Sequence, residues 1–132
     1  MKYFALAIML LTPACKADET LSGYGAAGSV WTLRQIDKTA FTGTATITFP
    51  EAGKIAGRAP CNRYFGQQTV PYPWFKAEGI GATKMACPDL ALESLYFETL
   101  QAMTLAEVSG DVMILSNDNG REMVFRATKL AE

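Results

Sequence analysis

The 132-residue chain contains no histidine. That absence removes the commonest general base and the commonest metal ligand, and with them any Ser-His-Asp arrangement for acyl transfer. No G-x-x-x-x-G-K loop is present to cradle a phosphate, and no C-x-x-C pair offers dithiol chemistry. Asp111, Asp118 and Asn119 lack the twelve-residue spacing and closing glutamate of a calcium loop, so "SNDNG" reads as a turn. Glu93 and Glu98 stand five residues apart on a helical pattern, hence on different faces, which leaves them unsuited to paired acid/base work. Neither sign of charge is in excess: 12 basic side chains face 13 acidic ones, a balance with no footprint for nucleic acid or an anionic membrane surface. The expectation is a protein that is not an enzyme and carries no cofactor or metal.

Long apolar runs are also missing, with one informative exception. "MKYFALAIMLLTPACKADE" places Lys2 before an apolar stretch from Tyr3 to Leu11, followed by small residues up to Cys15. A membrane span needs about 20 apolar residues and this run stops at Pro13, so the layout is that of an export signal, residues 1–14, and not of an anchor helix. Thr12-Pro13-Ala14-Cys15 resembles the lipobox of bacterial lipoproteins, in which the cysteine is diacylated and becomes the new N-terminus. Its Pro13, and a leucine at four rather than three positions before the cysteine, depart from the usual box. Cleavage after Ala14 or Ala17 without lipidation is the alternative. Lipidation at Cys15 would provide the two acyl chains that stable attachment requires, and Lys16 after it favours the outer membrane, facing the periplasm.

Cysteine is scarce, and the count of three is odd. Assigning Cys15 to the anchor leaves Cys61 and Cys87, which in an oxidising compartment are expected to form a structural disulfide. A redox-active pair and two separate buried thiols are the alternatives. Closing a loop of about 26 residues is worth roughly 3.5 kcal/mol in the chain-entropy account.

Residues 15–28, which carry Ser, Gly and other small residues without periodicity, read as a lipidated flexible tether, and residues 29–130 as one folded domain. "SVWTLRQI" puts Trp31 and Leu33 on one strand face; "TATITF" alternates Ala45, Ile47 and Phe49 with three threonines. Pro50-Glu51-Ala52-Gly53 turns that strand back into "KIAGR". "CNRYFGQQTVPYPWF", broken by Gly66, Pro71 and Pro73, reads as loop until Trp74 and Phe75 open a strand towards Thr83. "CPDLALESLYFETLQAM" is the one convincing helix, with Leu92, Leu95, Tyr96, Leu100 and Met103 as its apolar face and Pro88-Asp89 at its start. "DVMILSN" and "REMVFRA" form a closing hairpin around Asn117-Asp118-Asn119-Gly120. This order predicts an α+β domain, an antiparallel sheet packed on a single helix.

Trp31-x-Leu33, Ala45-x-Ile47-x-Phe49, Ile55-x-Gly57, Cys61-Asn62-Arg63-Tyr64-x-Gly66 and Thr83-Lys84-Met85-Ala86-Cys87-Pro88 with Glu93 after it together resemble the META/HslJ domain family of bacterial envelope proteins. The likeness runs from about Val30 to Thr128; Pro60 stands where relatives commonly have glycine. The resemblance implies a cracked β-barrel-like sheet wrapped around one helix, often carried on a lipoprotein. It further implies a link to heat shock, drug tolerance or secretion, with no established enzymatic activity. A Cys61–Cys87 bond would then pin helix to sheet. The expected function is binding of an envelope protein partner by a monomer, through Asn62, Arg63, Tyr64, Tyr72 and Trp74, with Arg63 and Tyr64 exposed. Phe65, Trp74 and Phe75 are weighed as core instead, and Asn62 as a turn residue bonding backbone. A protease inhibitor presenting the Pro60–Tyr64 loop, and a carrier of an apolar ligand between helix and sheet, are the other function classes.

Overall fold

The structure is a computed structural model that describes residues 17–129; the signal segment, Cys15 and Lys16 lie outside the described residues. Strand β1 (Ser29–Ile36) buries Trp31 and Leu33 as alternation requires. A register shift between Leu33 and Gln35 then adds one residue, so that Ile36 rather than Gln35 points inward. β1 turns through Asp37 and Lys38, both at positive φ (49° and 67°), into β2 (Thr39–Ala40), a short hairpin for which the sequence holds no glycine signal. β3 (Thr46–Ile47) pairs with the other end of β1 and keeps Ala45, Ile47 and Phe49 buried as expected.

The expected turn at Pro50–Gly53 leads into β4 (Lys54–Arg58), held to the preceding segment by a two-way bridge between Thr48 and Ala56. The segment after β4 corrects the loop reading of "CNRYFG". Arg63–Gln67 is β5, the central strand of a three-stranded sheet between β4 and β6 (Glu78–Ala82). Tyr64 and Gly66 face inward while Arg63, Phe65 and Gln67 face outward; the glycine that suggested a turn is an inward strand position.

Helix α1 (Leu90–Ala102) comes next, starting after Pro88-Asp89. Its buried face is Glu93, Tyr96, Thr99 and Leu100, with Met103 buried just past its end. Leu95 is 39% exposed, which removes it from the predicted apolar face and puts a carboxylate there instead. β7 (Leu105–Ser109), β8 (Val112–Ser116) and β9 (Glu122–Lys129) form a meander that returns to β1, so the larger sheet runs β2-β1-β9-β8-β7 with β3 also on β1. β7 is not legible as a strand in the sequence, since "LAEVS" alternates over only five residues directly after the helix. The β8–β9 hairpin forms as predicted. Gly120 alone takes positive φ (78°), and the Asn117 Oδ1 accepts from the backbone N–H of Asn119 and Arg121.

Every strand pairing is antiparallel. The fold class is therefore α+β, a mostly antiparallel sheet with one α-helix among the described residues. The barrel, however, is not closed. Single bridges at Thr48–Ala56 and Trp74–Leu105 link the two sheets, and no ladder joins β6 to β7. α1 connects these two edge strands and leaves its outer side in solvent.

A second correction concerns the predicted tether. Leu21–Tyr24 is a 3-10 turn whose Leu21 is fully buried, Ala26 is buried with it, and the Ala26 carbonyl accepts the Trp31 indole N–H at 2.9 Å. Tyr72 donates its backbone N–H to the Glu19 carbonyl, and its ring stacks on Tyr24 with centroids 4.7 Å apart. Burying one leucine is worth about 1.5–3 kcal/mol, enough to hold a short segment against the loss of its freedom. From Glu19 onward the predicted linker is part of the fold.

Candidate functional site

Cys61 and Cys87 are bonded, with Cα atoms 5.6 Å apart. The bridge joins the turn before β5 to the segment that starts α1, so it ties helix to sheet. Beside it lies a hydrogen-bond cluster built on Glu93, whose residue is only 7% exposed. One carboxylate oxygen, Oε1, accepts from the backbone N–H of Cys61 (3.1 Å) and Asn62 (2.8 Å); the other accepts from the Asn62 side-chain amide at 2.7 Å. Asn62 spends the rest of its amide on the segment that follows β6: Oδ1 accepts from the Met85 N–H (2.6 Å) and the Thr83 hydroxyl (2.9 Å), and Nδ2 also donates to the Met85 carbonyl. No cation joins Glu93 in the ion pairs of the described residues. Its charge is offset by three N–H donors, charge-assisted bonds stronger than their neutral counterparts.

Tyr64 is 2% exposed, which corrects the expectation that it faces solvent. Its hydroxyl donates to the Thr46 carbonyl at 2.7 Å and lies 2.6 Å from that of Tyr96. Burial pushes both phenols well above the ordinary tyrosine value, with the neighbouring ring adding to the effect at Tyr64. Asn62 and Tyr64 thus serve the interior, Asn62 by bonding backbone as weighed from sequence. Tyr72 is half-buried under Tyr24 and accepts from the Val108 N–H. Of the three aromatics weighed as core, Phe75 is buried, whereas Trp74 (57%) and Phe65 (66%) are exposed.

The exposed residues that this scaffold positions form one surface. Arg63 extends outward from β5 with its N–H on the Thr83 hydroxyl, directly opposite Arg58 on β4. Arg58 in turn has its N–H on the Thr46 hydroxyl. Together with Ala59, Pro60, Cys61, Thr83 and Met85 they line a cleft of about 480 Å³. Two positions along β5, Phe65 lies between Ala56 and Gly81, and a Cβ on Gly81 would come within 2.7 Å of its ring, so only glycine lets the ring rest there. Lys54 is exposed across from Gln67 at the far end. Sequence reasoning misses Arg58 and Phe65 as members of this surface. The cue for Arg58 is its place at the end of "KIAGR", in register with Arg63 once the four-residue turn is recognised.

That turn does not project as an inhibitory loop would, since Ala59 and Asn62 are buried and joined by a 2.7 Å backbone bond. A second depression of about 470 Å³ lies between the β1–β2 hairpin and α1, lined by Phe41, Leu92 and Leu95 with Asp37 and Arg121 at its edge. It is open to solvent rather than internal. Among the described residues no three Cys, Asp or Glu side chains group as metal ligands would.

The family model for the META domain matches residues 25–129. No curated protein matches the chain. Three solved structures share its fold, among them the following two. A protein from Burkholderia xenovorans, determined by NMR, is 23% identical with a TM-score of 0.64, covering 81% of this chain and 86% of its own. A DUF4847-family protein from Bacteroides vulgatus is 12% identical with a TM-score of 0.62, covering 82% and 98%.

Proposed function

The chain belongs to the META domain family, and on that premise we propose that it is an exported, lipid-anchored binding protein whose working surface is the outer face of β4–β5–β6. It acts at the periplasmic side of the outer membrane, held there through Cys15, and engages a protein partner of the envelope without catalysing a reaction. The observation that carries this reading is Phe65: an aromatic ring 66% exposed on a regular strand, flanked by small residues and bordered by Arg58 and Arg63. Aromatic and arginine side chains are the types most enriched at interface hot spots, and a large exposed ring on a rigid sheet costs little entropy to bury.

A photo-reactive amino acid at position 65, introduced in cells and irradiated before lysis, is expected to yield a discrete protein adduct. The same group at the exposed helix position Glu98 should not. Adducts at both positions alike, or none at 65, would remove the reading. Fatty-acid labelling that is retained in Cys15→Ala would separately overturn the anchor.

A further inference from the structure

Two guanidiniums in direct cross-strand register are an unfavourable arrangement, because like charges opposite one another destabilise a sheet. The Cα atoms of such a pair lie roughly 4.5–5.5 Å apart. Neither Arg58 nor Arg63 takes part in the ion pairs among the described residues, which join Lys76 to Glu78, Arg121 to Asp37 and Arg126 to Asp111. Both are exposed and both line the cleft beside the disulfide. Their backbones are fixed on each side by threonine hydroxyls, and the Arg63 anchor, Thr83, is itself held by Asn62 and through it by Glu93. The pair is therefore held in place by a buried network while its charge is left uncompensated. The rest of the cleft lining includes Ala59, Pro60 and Met85, the last 66% exposed, so the site offers two cations against an apolar wall.

Resting on the binding role just proposed, we infer that this cleft takes a carboxylate from an acidic, extended segment of the partner protein, with an apolar residue of the same segment seated on Phe65. Arg63 and Phe65 are on the same face two residues apart, about 6.6 Å along a strand. An extended segment presents its own side chains at the same interval, so an acidic residue and an apolar one at i and i+2 reach both. A guanidinium fork binds a carboxylate through two parallel hydrogen bonds, and a carboxylate between the two arginines relieves their mutual repulsion. A membrane headgroup is the weaker fit. The chain is net acidic, and two fixed cations beside an apolar wall suit a side chain better than a charged surface.

The test uses the mature protein in neutral detergent and the probe peptide acetyl-Glu-Ser-Phe-Ser-Glu-amide, followed by NMR titration. Saturable amide shifts are expected at Arg58, Arg63, Thr83 and Met85, weakening as salt is raised. The counterpart with Gln for Glu should bind at least tenfold more weakly. The double variant Arg58→Gln/Arg63→Gln should lose the peptide by at least tenfold with a melting temperature that does not fall, since the cross-strand repulsion is removed, while Arg34→Gln, exposed on β1, should keep the peptide. Absence of saturable binding, shifts centred elsewhere, or full affinity in the double variant overturns the inference. So does equal binding of inorganic phosphate or of phosphatidylglycerol vesicles, which would make the site a general oxyanion or lipid site. Should the cross-link from position 65 persist undiminished in the double variant, the binding surface stands and only its acidic chemistry fails.

Discussion

Glu93 is the residue on which the local geometry turns. Its two oxygens receive three N–H groups from Cys61 and Asn62, so Glu93→Gln replaces one acceptor by a donor aimed at the Asn62 amide. The expected loss is about 1–3 kcal/mol, the cost of leaving buried polar groups unsatisfied, read as a lower urea midpoint. Because Asn62 also holds Thr83 and Met85, the same variant should shift the amide resonances of the cleft. The tyrosine pair gives a pH dependence. Tyr64 and Tyr96 are neutral in the fold with pKa values above the ordinary 10.0, so the unfolded chain ionises first as pH rises. Their contribution is complete below about pH 10 and declines above it, as an excess of protons bound by the folded state requires. Tyr96→Phe should flatten that alkaline limb, measured as urea midpoint against pH from 8 to 11. An unchanged slope would show that the phenols do not control it.

Among the elements, the β1–β2 turn carries visible strain. Lys38 sits at φ 67°, where a non-glycine side chain is disfavoured, because a two-residue hairpin of this hand needs positive φ at both central positions. Lys38→Gly should stabilise the protein by about 0.5–1 kcal/mol, in contrast to the loss glycine causes inside a strand. Asp37 should be kept, since its carboxylate accepts from the Glu122 N–H and pairs with Arg121 across the sheet. The helix shows the complementary point. Its apolar period located α1 correctly, yet the side chains that meet the sheet include Glu93 and exclude Leu95, because what packs there is set by the partners on β5 and its turn. β5 itself is hidden in the sequence by Gly66 and the two prolines after it, although its pattern of outward Arg63, Phe65 and Gln67 is regular.

For the whole molecule, the disulfide and the leading segment are the tests. Reduction of Cys61–Cys87, which spans 26 positions, should cost about 3.5 kcal/mol in the chain-entropy account. The Glu93 bonds should nevertheless keep the turn against the helix in molecules that remain folded. Leu21→Ala should cost about 2–5 kcal/mol, as for other fully buried leucines, whereas a free tether would show no change; thermal unfolding decides. The result bears on where the domain begins, since Leu21 precedes residue 25, the start of the family match.

Local rules were enough for the parts of this protein whose geometry is local. Period-two alternation marked β1, β3 and β8–β9, the 3.6 period marked α1, and the Asn-rich turn marked the last hairpin. Cysteine arithmetic paired Cys61 with Cys87. What only the tertiary structure decided is which side chains face solvent. Tyr64 and Phe65 are adjacent aromatics of similar character, and a strand sends one to each side; which is inward depends on register with β4 and β6, many residues away. The same long-range pairing set Arg58 opposite Arg63 and brought Glu93 to Asn62 across 31 positions. Such contacts are fixed by how distant segments meet, a property that no window along the chain contains.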